Sequence, residues 1–245
     1  MKIKNSYVKI IMWMVLGGIV GAIGGLAGRT IGIGKFKEVF INIFELIANN
    51  IIQIQIAVGT LSALVILVNY ISAKKLMVKD DNDVDELSDK IELKQTIALT
   101  FCSINYILSF ILFGIAIDGR NQFIIASVIV FVTVMVFSSF MEISIVNQIK
   151  KGDPMKKGDP AELDFQNQWI DSCDEAEKLI TYQAAYKTFN IMKYLLLATM
   201  IIGMIAKAAL NAGNTIIVMG GVLWLVMVLA YSYYGCKLQK NKINL

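Results

Sequence analysis

The sequence predicts an all-α polytopic membrane protein, a bundle of six transmembrane helices, and three properties of the chain support this fold class. Apolar residues make up 56% of the 245 residues, the mean hydropathy is +0.63, and only 17% of the residues are charged. A soluble domain is less apolar than this and has about one-quarter charged residues. The apolar residues also fall into long runs, with lysines collected between them.

Six runs are long enough to cross a bilayer, because a transmembrane helix needs about 20 apolar residues. They cover roughly residues 8–28, 44–72, 95–117, 123–146, 188–210 and 215–236. The first run is longer than the apolar region of about 7–15 residues in a signal peptide, so we interpret it as a span. Residues 147–187 are predicted to form a loop and an amphipathic helix that runs into the fifth span.

The basic residues predict the orientation of these spans. With both termini inside, the outer side keeps only five of the 23 basic residues: Arg29, Lys35, Lys37, Arg120 and Lys207. Cytoplasmic loops of membrane proteins carry an excess of lysine and arginine. We therefore predict that both termini and the loops 74–94 and 146–187 are cytoplasmic. The net charge of +4 follows from this topology and gives no separate reason to expect nucleic acid.

Polar side chains recur near the outer end of the second predicted span. Glu45, Asn49 and Gln53 are four residues apart and therefore share one face of a helix. Together with Asn105, deeper in the third span, they predict a polar vestibule that opens outward. Hydrogen bonding between helices is the alternative explanation for the same residues.

Two opposite charges are predicted at similar depth on consecutive spans. Glu142 lies a few residues inside the inner boundary of the fourth span, and Lys193 lies similarly in the fifth. Charged groups inside a membrane usually pair with one another, so we predict a structural ion pair. The alternative is that Lys193 extends to the inner headgroups.

The first inner loop contains an acidic stretch, residues 81–92, that partly matches a calcium-binding loop. The template needs glycine at its sixth position, where this chain has Glu86. The other interpretation is that Asp89 and Glu92 form a capping box at the start of the third span.

Both prolines of the chain lie in two copies of Lys-Lys-Gly-Asp-Pro within residues 150–160. The first copy is predicted to end a helix, with Gly152 in the left-handed conformation. The second copy is predicted to begin one, with Asp159 as N-cap, Pro160 as the first helical residue and Glu162 completing a capping box. The alternative is that the lysines contact an anion or a lipid headgroup.

From residue 161 to 202 there is no glycine or proline, which predicts one continuous helix. Its cytoplasmic part has an apolar face and a polar face, and the polar face carries Asp171, Asp174, Glu175 and Lys178. Helices that lie on lipid surfaces are usually basic, so this face better suits a protein partner or a cation. Simple solvation of the charges is the alternative.

The composition excludes several kinds of chemistry. The chain has no histidine, which removes histidine zinc sites, Ser-His and Cys-His nucleophile pairs and histidine proton relays. Its three cysteines show no paired spacing, and no nucleotide-binding motif is present. We therefore predict no catalytic residues, cofactor or metal site.

The stretch GDPAELDFQNQWIDSCDEAEKLITYQAAYKTF, with four predicted spans before it and two after it, resembles a family of bacterial multi-pass membrane proteins defined by a domain of unknown function. The resemblance covers the whole chain and rests on four elements: residues 164–166, Trp169, residues 172–178 and residues 186–187. It implies a six-span protein of the bacterial plasma membrane and brings no activity.

These observations favour a non-catalytic plasma-membrane protein that lies in the lipid bilayer and docks a protein partner, or another copy of itself, through residues 160–187. The alternative is a small transporter that uses the vestibule of Glu45, Asn49, Gln53 and Asn105.

Overall fold

The computed structural model describes residues 8, 12, 15, 18–19, 33–78, 84–117, 124–210 and 213–243, and the regular elements in these ranges are all helical. Seven helices have defined bounds: α1 (Ile33–Asn49), α2 (Ile51–Leu76), α3 (Val84–Ala116), α4 (Ile124–Gly152), α5 (Phe165–Asp171), α6 (Glu175–Leu210) and α7 (Thr215–Ile243).

Five of these helices are long and apolar enough to cross a membrane. The qualifying segments are Ile51–Leu76, Glu86–Ala116, Ile124–Gly152, Glu175–Lys207 and Thr215–Tyr234. The all-helical membrane fold is therefore confirmed for the described part of the chain. The first predicted span, 8–28, falls largely outside the described residues, so the sixth span remains a prediction.

The predicted second span, 44–72, is interrupted. Helix α1 ends at Asn49 and α2 begins at Ile51. Between them, the Asn50 side chain donates a hydrogen bond to the Leu46 carbonyl at 2.9 Å. The backbone of Asn50, with φ −113° and ψ 23°, leaves the helical conformation and separates the two helices.

From Val84 onward the acidic stretch before the third span is helical rather than a loop, and its residues 81–83 lie outside the described residues. Because α3 already begins at Val84, Asp89 and Glu92 lie inside the helix, and the predicted capping box is wrong. Glu86 instead pairs with Lys90 one turn later, with 2.6 Å between Oε1 and Nζ. A helix cannot provide the sharp turn of a calcium loop. Among the described residues, no group of three or more acidic or cysteine side chains could hold a metal ion.

Helices α2, α3 and α4 pack against one another and belong to a compact unit formed by residues 42–179. Its apolar core consists of Ile66, Ala98, Cys102, Met141 and Ile145. Van der Waals contact among these side chains stabilises the association of the three helices.

The described residues of 1–41 and 180–245 form a second unit. Within it, α6 and α7 approach closely at two glycines: a Cβ built on Gly203 would lie 3.0 Å from Ile216, and one on Gly220 would lie 3.2 Å from Met200. The rings of Phe189 and Tyr231 also stack, with centroids 4.5 Å apart. Small residues of this kind allow transmembrane helices to pack side by side.

The repeated Lys-Lys-Gly-Asp-Pro segment does end one helix, but its mechanism differs from the prediction. Helix α4 ends at Gly152 as expected, yet the glycine with positive φ is Gly158, at +106°. In both copies the aspartate side chain accepts a hydrogen bond from the backbone N–H of the residue after proline. Asp153 binds Met155 at 3.0 Å, and Asp159 binds Ala161 at 2.9 Å. Both copies therefore form the same aspartate turn.

The predicted helix from 161 to 202 is wrong in its first part. Residues 160–164 form turns, α5 covers only Phe165–Asp171, and α6 begins at Glu175. The capping box lies at Asp174 and Glu177 instead of at Asp159 and Glu162. Asp174 Oδ1 accepts from the Glu177 N–H at 2.7 Å, and Glu177 Oε2 accepts from the Asp174 N–H at 3.0 Å. This reciprocal pair starts a new helix where the sequence suggested an uninterrupted one.

Candidate functional site: the segment around Lys156

The segment between α4 and α6 folds around one buried lysine. The Lys156 side chain is only 6% exposed, and its ammonium forms a salt bridge with Glu177. The same Nζ donates to the Cys173 Sγ at 3.4 Å and lies 5.9 Å from the centre of the Trp169 ring. We refer to Lys156, Trp169, Cys173 and Glu177 as the Lys156 module.

The two aspartate turns and α5 bring these side chains together. Gly158 has no Cβ, which leaves room for the Phe165 ring, since a Cβ there would lie 2.9 Å from it. Phe165 in turn packs on Trp169, with ring centroids 5.5 Å apart. The Lys157 N–H donates to the Ser172 hydroxyl at 3.1 Å and ties the loop to the end of α5. The positive φ and the close ring contact explain why glycine is needed at position 158.

Electrostatics in the module favour the charged form of Lys156. Burial by itself lowers the pKa of the Lys156 ammonium, but the hydrogen bonds to Glu177 and Cys173 outweigh burial and hold the pKa above its ordinary value of 10.5. The lysine therefore remains an ammonium near neutral pH, where it acts as a structural cation.

The predicted interaction face is only partly a single surface. Asp171 ends α5, whereas Asp174 and Glu175 lie at the start of α6, and all three are exposed. Lys178 is partly buried one turn into α6. The break between α5 and α6 therefore places these carboxylates at a corner between two helices and not along one helix.

The residues of the predicted vestibule lie in different environments. Glu45 and Asn49 are exposed on α1, and Gln53 is exposed on α2. Asn105 is fully buried, where its Nδ2 donates to the Ser138 hydroxyl of α4 at 2.8 Å. The structure thus uses Asn105 in an interhelical hydrogen bond, and the outward vestibule stays a prediction.

The two predicted ion-pair residues each have a neighbour within their own unit. Glu142 Oε2 accepts a hydrogen bond from the Tyr106 hydroxyl at 3.2 Å, and the same hydroxyl lies 2.9 Å from the Ser139 Oγ. Lys193 Nζ lies 5.4 Å from the centre of the Phe189 ring. Pairing between Glu142 and Lys193 stays a prediction.

Sequence reasoning missed a set of buried polar residues in α2–α4. Gln55, Ser62 and Asn69 are 4%, 6% and 8% exposed and recur every seven residues along α2. Gln55 accepts a hydrogen bond from Ser127 of α4 at 2.7 Å. The spacing of seven was the available signal, because residues seven apart lie on one helix face.

The motif that suggested a family lies in the segment that folds around Lys156, and the family assignment covers nearly the whole chain. A family model described as a protein of unknown function (DUF3169) matches residues 4–235. The chain belongs to the DUF3169 family. The expected membership of a family defined by a domain of unknown function is therefore confirmed. No curated protein and no solved structure matches the chain. The DUF3169 match includes α1–α6, the Lys156 module and most of α7, so the module is part of the family domain.

Proposed function

We propose that this protein is a non-catalytic membrane component that docks a protein partner through the surface of its Lys156 module. The charge distribution of the segment is the observation that supports this. The sequence has no lysine or arginine from residue 158 to 177, and the Lys156 ammonium is turned inward onto Glu177. Six carboxylates of the segment remain exposed: Asp159, Glu162, Asp164, Asp171, Asp174 and Glu175.

This acidic surface suits a partner segment rich in lysine or arginine, because complementary charge speeds and orients association. A lipid surface is a poorer match, since the same carboxylates would repel anionic lipid headgroups. The α5–α6 corner also gives the surface a fixed shape, because the Lys156 salt bridge and the Asp174–Glu177 capping box hold both of its sides.

The state of Lys156 supports a structural role over a catalytic one. A lysine nucleophile needs a lowered pKa, whereas the pKa of Lys156 is raised. The neighbouring thiol, Cys173, is buried at 9% exposure.

The docking proposal is tested by placing a photo-crosslinking amino acid at Asp171 of the full chain in native membranes. The expected product is a crosslink to a lysine- or arginine-rich peptide of a partner. The crosslink should weaken when Asp174→Asn and Glu175→Gln are combined, because asparagine keeps the helix cap and removes only charge.

The matched control neutralises two exposed acids elsewhere, Asp89→Asn and Glu92→Gln, and should leave the crosslink unchanged. A crosslink to a second copy of the chain would show that this surface mediates self-association and does not bind a different protein. Absence of any crosslink at Asp171, or one that neutralisation does not affect, would contradict docking through this surface.

The docking proposal also depends on the predicted cytoplasmic location of the module. Single cysteines at Lys35, Asp83, Gln122 and Met155 in a cysteine-free chain test it. An impermeant thiol reagent applied to intact bacterial cells should label only positions 35 and 122. Labelling at 155 would place the module outside.

A small transporter is the second candidate. Buried polar groups in the α2–α4 bundle favour it, because intramembrane polar side chains often mark substrate or proton paths. These groups differ from the exposed Glu45, Asn49 and Gln53 on which the vestibule prediction was based.

A further inference from the structure

A line of buried polar side chains runs the length of the α2–α4 bundle. Lys74, Lys94 and Lys150 mark one end, which we call the lysine-rich end. At 1.5 Å per residue from the lysine of its own helix, Gln148 lies about 3 Å from this end, Asn105 about 16 Å and Gln55 about 28 Å. All three are at most 6% exposed. The line therefore crosses a thickness close to that of the hydrocarbon core, which is about 30 Å.

Each of these three amides has one buried atom without a hydrogen-bond partner. The atoms are Gln148 Oε1, Asn105 Oδ1 and Gln55 Nε2. Leaving a polar group unpaired in an apolar environment costs free energy, and ordered water is the usual partner for such groups. The three unpaired atoms are therefore the points at which water would be stabilised once the bundle opened.

A carboxylate lies beside this line. Glu142 is about 12 Å from the lysine-rich end at 1.5 Å per residue, and it is the one acidic residue between Ile124 and Lys150. No acidic residue occurs between Ile51 and Lys74 or between Lys94 and Ala116. The hydrogen bond from Tyr106 links Glu142 to Ser139, next to the Asn105–Ser138 pair.

Among the described residues of its own unit, the groups that contact Glu142 carry no positive charge. Helix α3 presents Tyr106, whose hydroxyl donates to Glu142 at 3.2 Å, and the buried thiol of Cys102. From α2, Tyr70 packs on the apolar core nearer the lysine-rich end. The predicted partner Lys193 belongs to the other unit.

Apolar side chains interrupt this row of polar side chains at a depth between those of Asn105 and Gln55. A Cβ built on Gly59 of α2 would lie 2.8 Å from Val134 Cγ2 of α4, so the two helices are in direct contact. Val134, Phe131 and Leu112 border the adjacent space with Gln55 and Ser109, and this space does not admit a water molecule. Phe131 is held by stacking on Phe113, with centroids 4.5 Å apart.

We propose that the α2–α4 bundle contains a proton path, with Glu142 as its proton-binding residue and the Gly59–Val134 contact as its closed gate. Apolar constrictions of this kind close membrane paths by excluding water. Neutral amides and hydroxyls can order water molecules that relay protons, and the Glu142 carboxylate can bind a proton. In the open state a proton passes along water to the Glu142 carboxylate, which becomes a neutral acid and releases the proton toward the lysine-rich end.

This proposal deepens the transporter candidate and does not depend on docking by the Lys156 module. The competing explanations are that the polar side chains only join the helices, or that Glu142 only pairs with Lys193.

The test uses the full chain in sealed vesicles that contain a pH-sensitive dye, with a potassium diffusion potential to drive protons inward. Val134→Ala removes two methyl groups and so enlarges the adjacent space. One water molecule occupies about 30 Å³. We expect the substitution to raise the proton flux severalfold over the unsubstituted protein. Val136→Ala, a matched change at a half-exposed position of α4, should not raise it.

Adding Glu142→Gln to Val134→Ala should return the flux to the level of the unsubstituted protein, because glutamine cannot carry a proton between the two ends. An unchanged flux in Val134→Ala, confirmed as folded by circular dichroism and gel filtration, would overturn the gate and support polar side chains that only join helices. A raised flux that persists in the double variant would overturn the role of Glu142. A leak of similar size in Val136→Ala would show general loosening of the bundle and would also overturn the proposal.

Discussion

Removing the charge of Lys156 should open the segment between α4 and α6. In Lys156→Met the apolar stem still packs, while the salt bridge to Glu177, the hydrogen bond to Cys173 and the contact with the Trp169 ring are lost. An exposed ion pair contributes about 0–1 kcal/mol, whereas breaking a buried pair costs about 3–5 kcal/mol. Lys156 is 6% exposed and Glu177 is 43% exposed, so one partner is buried and the other is half in water. We expect a loss of about 2 kcal/mol of local stability, between these two limits.

Hydrogen exchange of the detergent-solubilised chain measures this loss. The Ser172 and Cys173 amides donate to backbone carbonyls of α5, so their exchange reports opening of this segment. A loss of 2 kcal/mol corresponds to about a 30-fold faster exchange, since each 1.4 kcal/mol is a factor of ten. Lys157→Met is the matched control, because that side chain is exposed and only its backbone N–H contacts Ser172. Equal exchange in the two variants would refute a stabilising role for the Lys156 charge.

The same salt bridge predicts a pH dependence of definite sign. The pKa of Lys156 is higher in the folded chain than its ordinary value of 10.5, so folding favours the protonated form. Its contribution is fully present below pH 10.5 and is lost as the pH rises through the folded pKa. Protection factors for residues 165–178 should therefore show no loss from deprotonation of Lys156 between pH 7 and 9. They should fall at higher pH, and a fall already at pH 8 would contradict this assignment.

Three further predictions concern single positions. Gly158→Ala should destabilise the segment by about 1–2 kcal/mol in the same exchange measurement, because its φ is +106° and a Cβ would press on Phe165, whereas Gly152→Ala should have a much smaller effect. Asp174→Ala should cost about 1 kcal/mol of stability at the start of α6, and Asp174→Asn should largely restore it; equal losses would show that charge matters more than capping. If Glu142 pairs with Lys193, removing either charge should destabilise the chain to heat in detergent by several kcal/mol, and removing both should be milder. Additive losses would argue against the pair.

The sequence predicted the long helices well and the polar details poorly. The apolar runs at 95–117, 123–146, 188–210 and 215–236 coincide with observed helices except for one end residue in each of the first two, because an apolar segment of this length has to satisfy its backbone internally. Helix ends were less predictable. Helix α3 begins eleven residues before its apolar run, since a charged stretch with an i,i+4 pair is as compatible with a helix as with a loop.

The segment around Lys156 shows why the candidate site was only partly predictable. Residues 161–202 contain no glycine or proline, and helix propensity therefore predicted one helix. Ser172 and Asp174 interrupt it because their side chains bind backbone groups, and the salt bridge and ring contact of Lys156 stabilise the two-helix arrangement. No local pattern identified Lys156 among four nearby lysines, since its burial depends on residues 13–21 positions further along the chain.

The seven-residue spacing of Gln55, Ser62 and Asn69 has a consequence for how the protein is made. These side chains are covered only once α3 and α4 are in place, and α2 is synthesised before either of them. Until then, a lone α2 would expose a polar stripe to hydrocarbon, where unsatisfied groups cost several kcal/mol each. We therefore expect the first stable form of this bundle in a growing chain to be α2–α4 together, since Ser127 of α4 supplies the partner of Gln55.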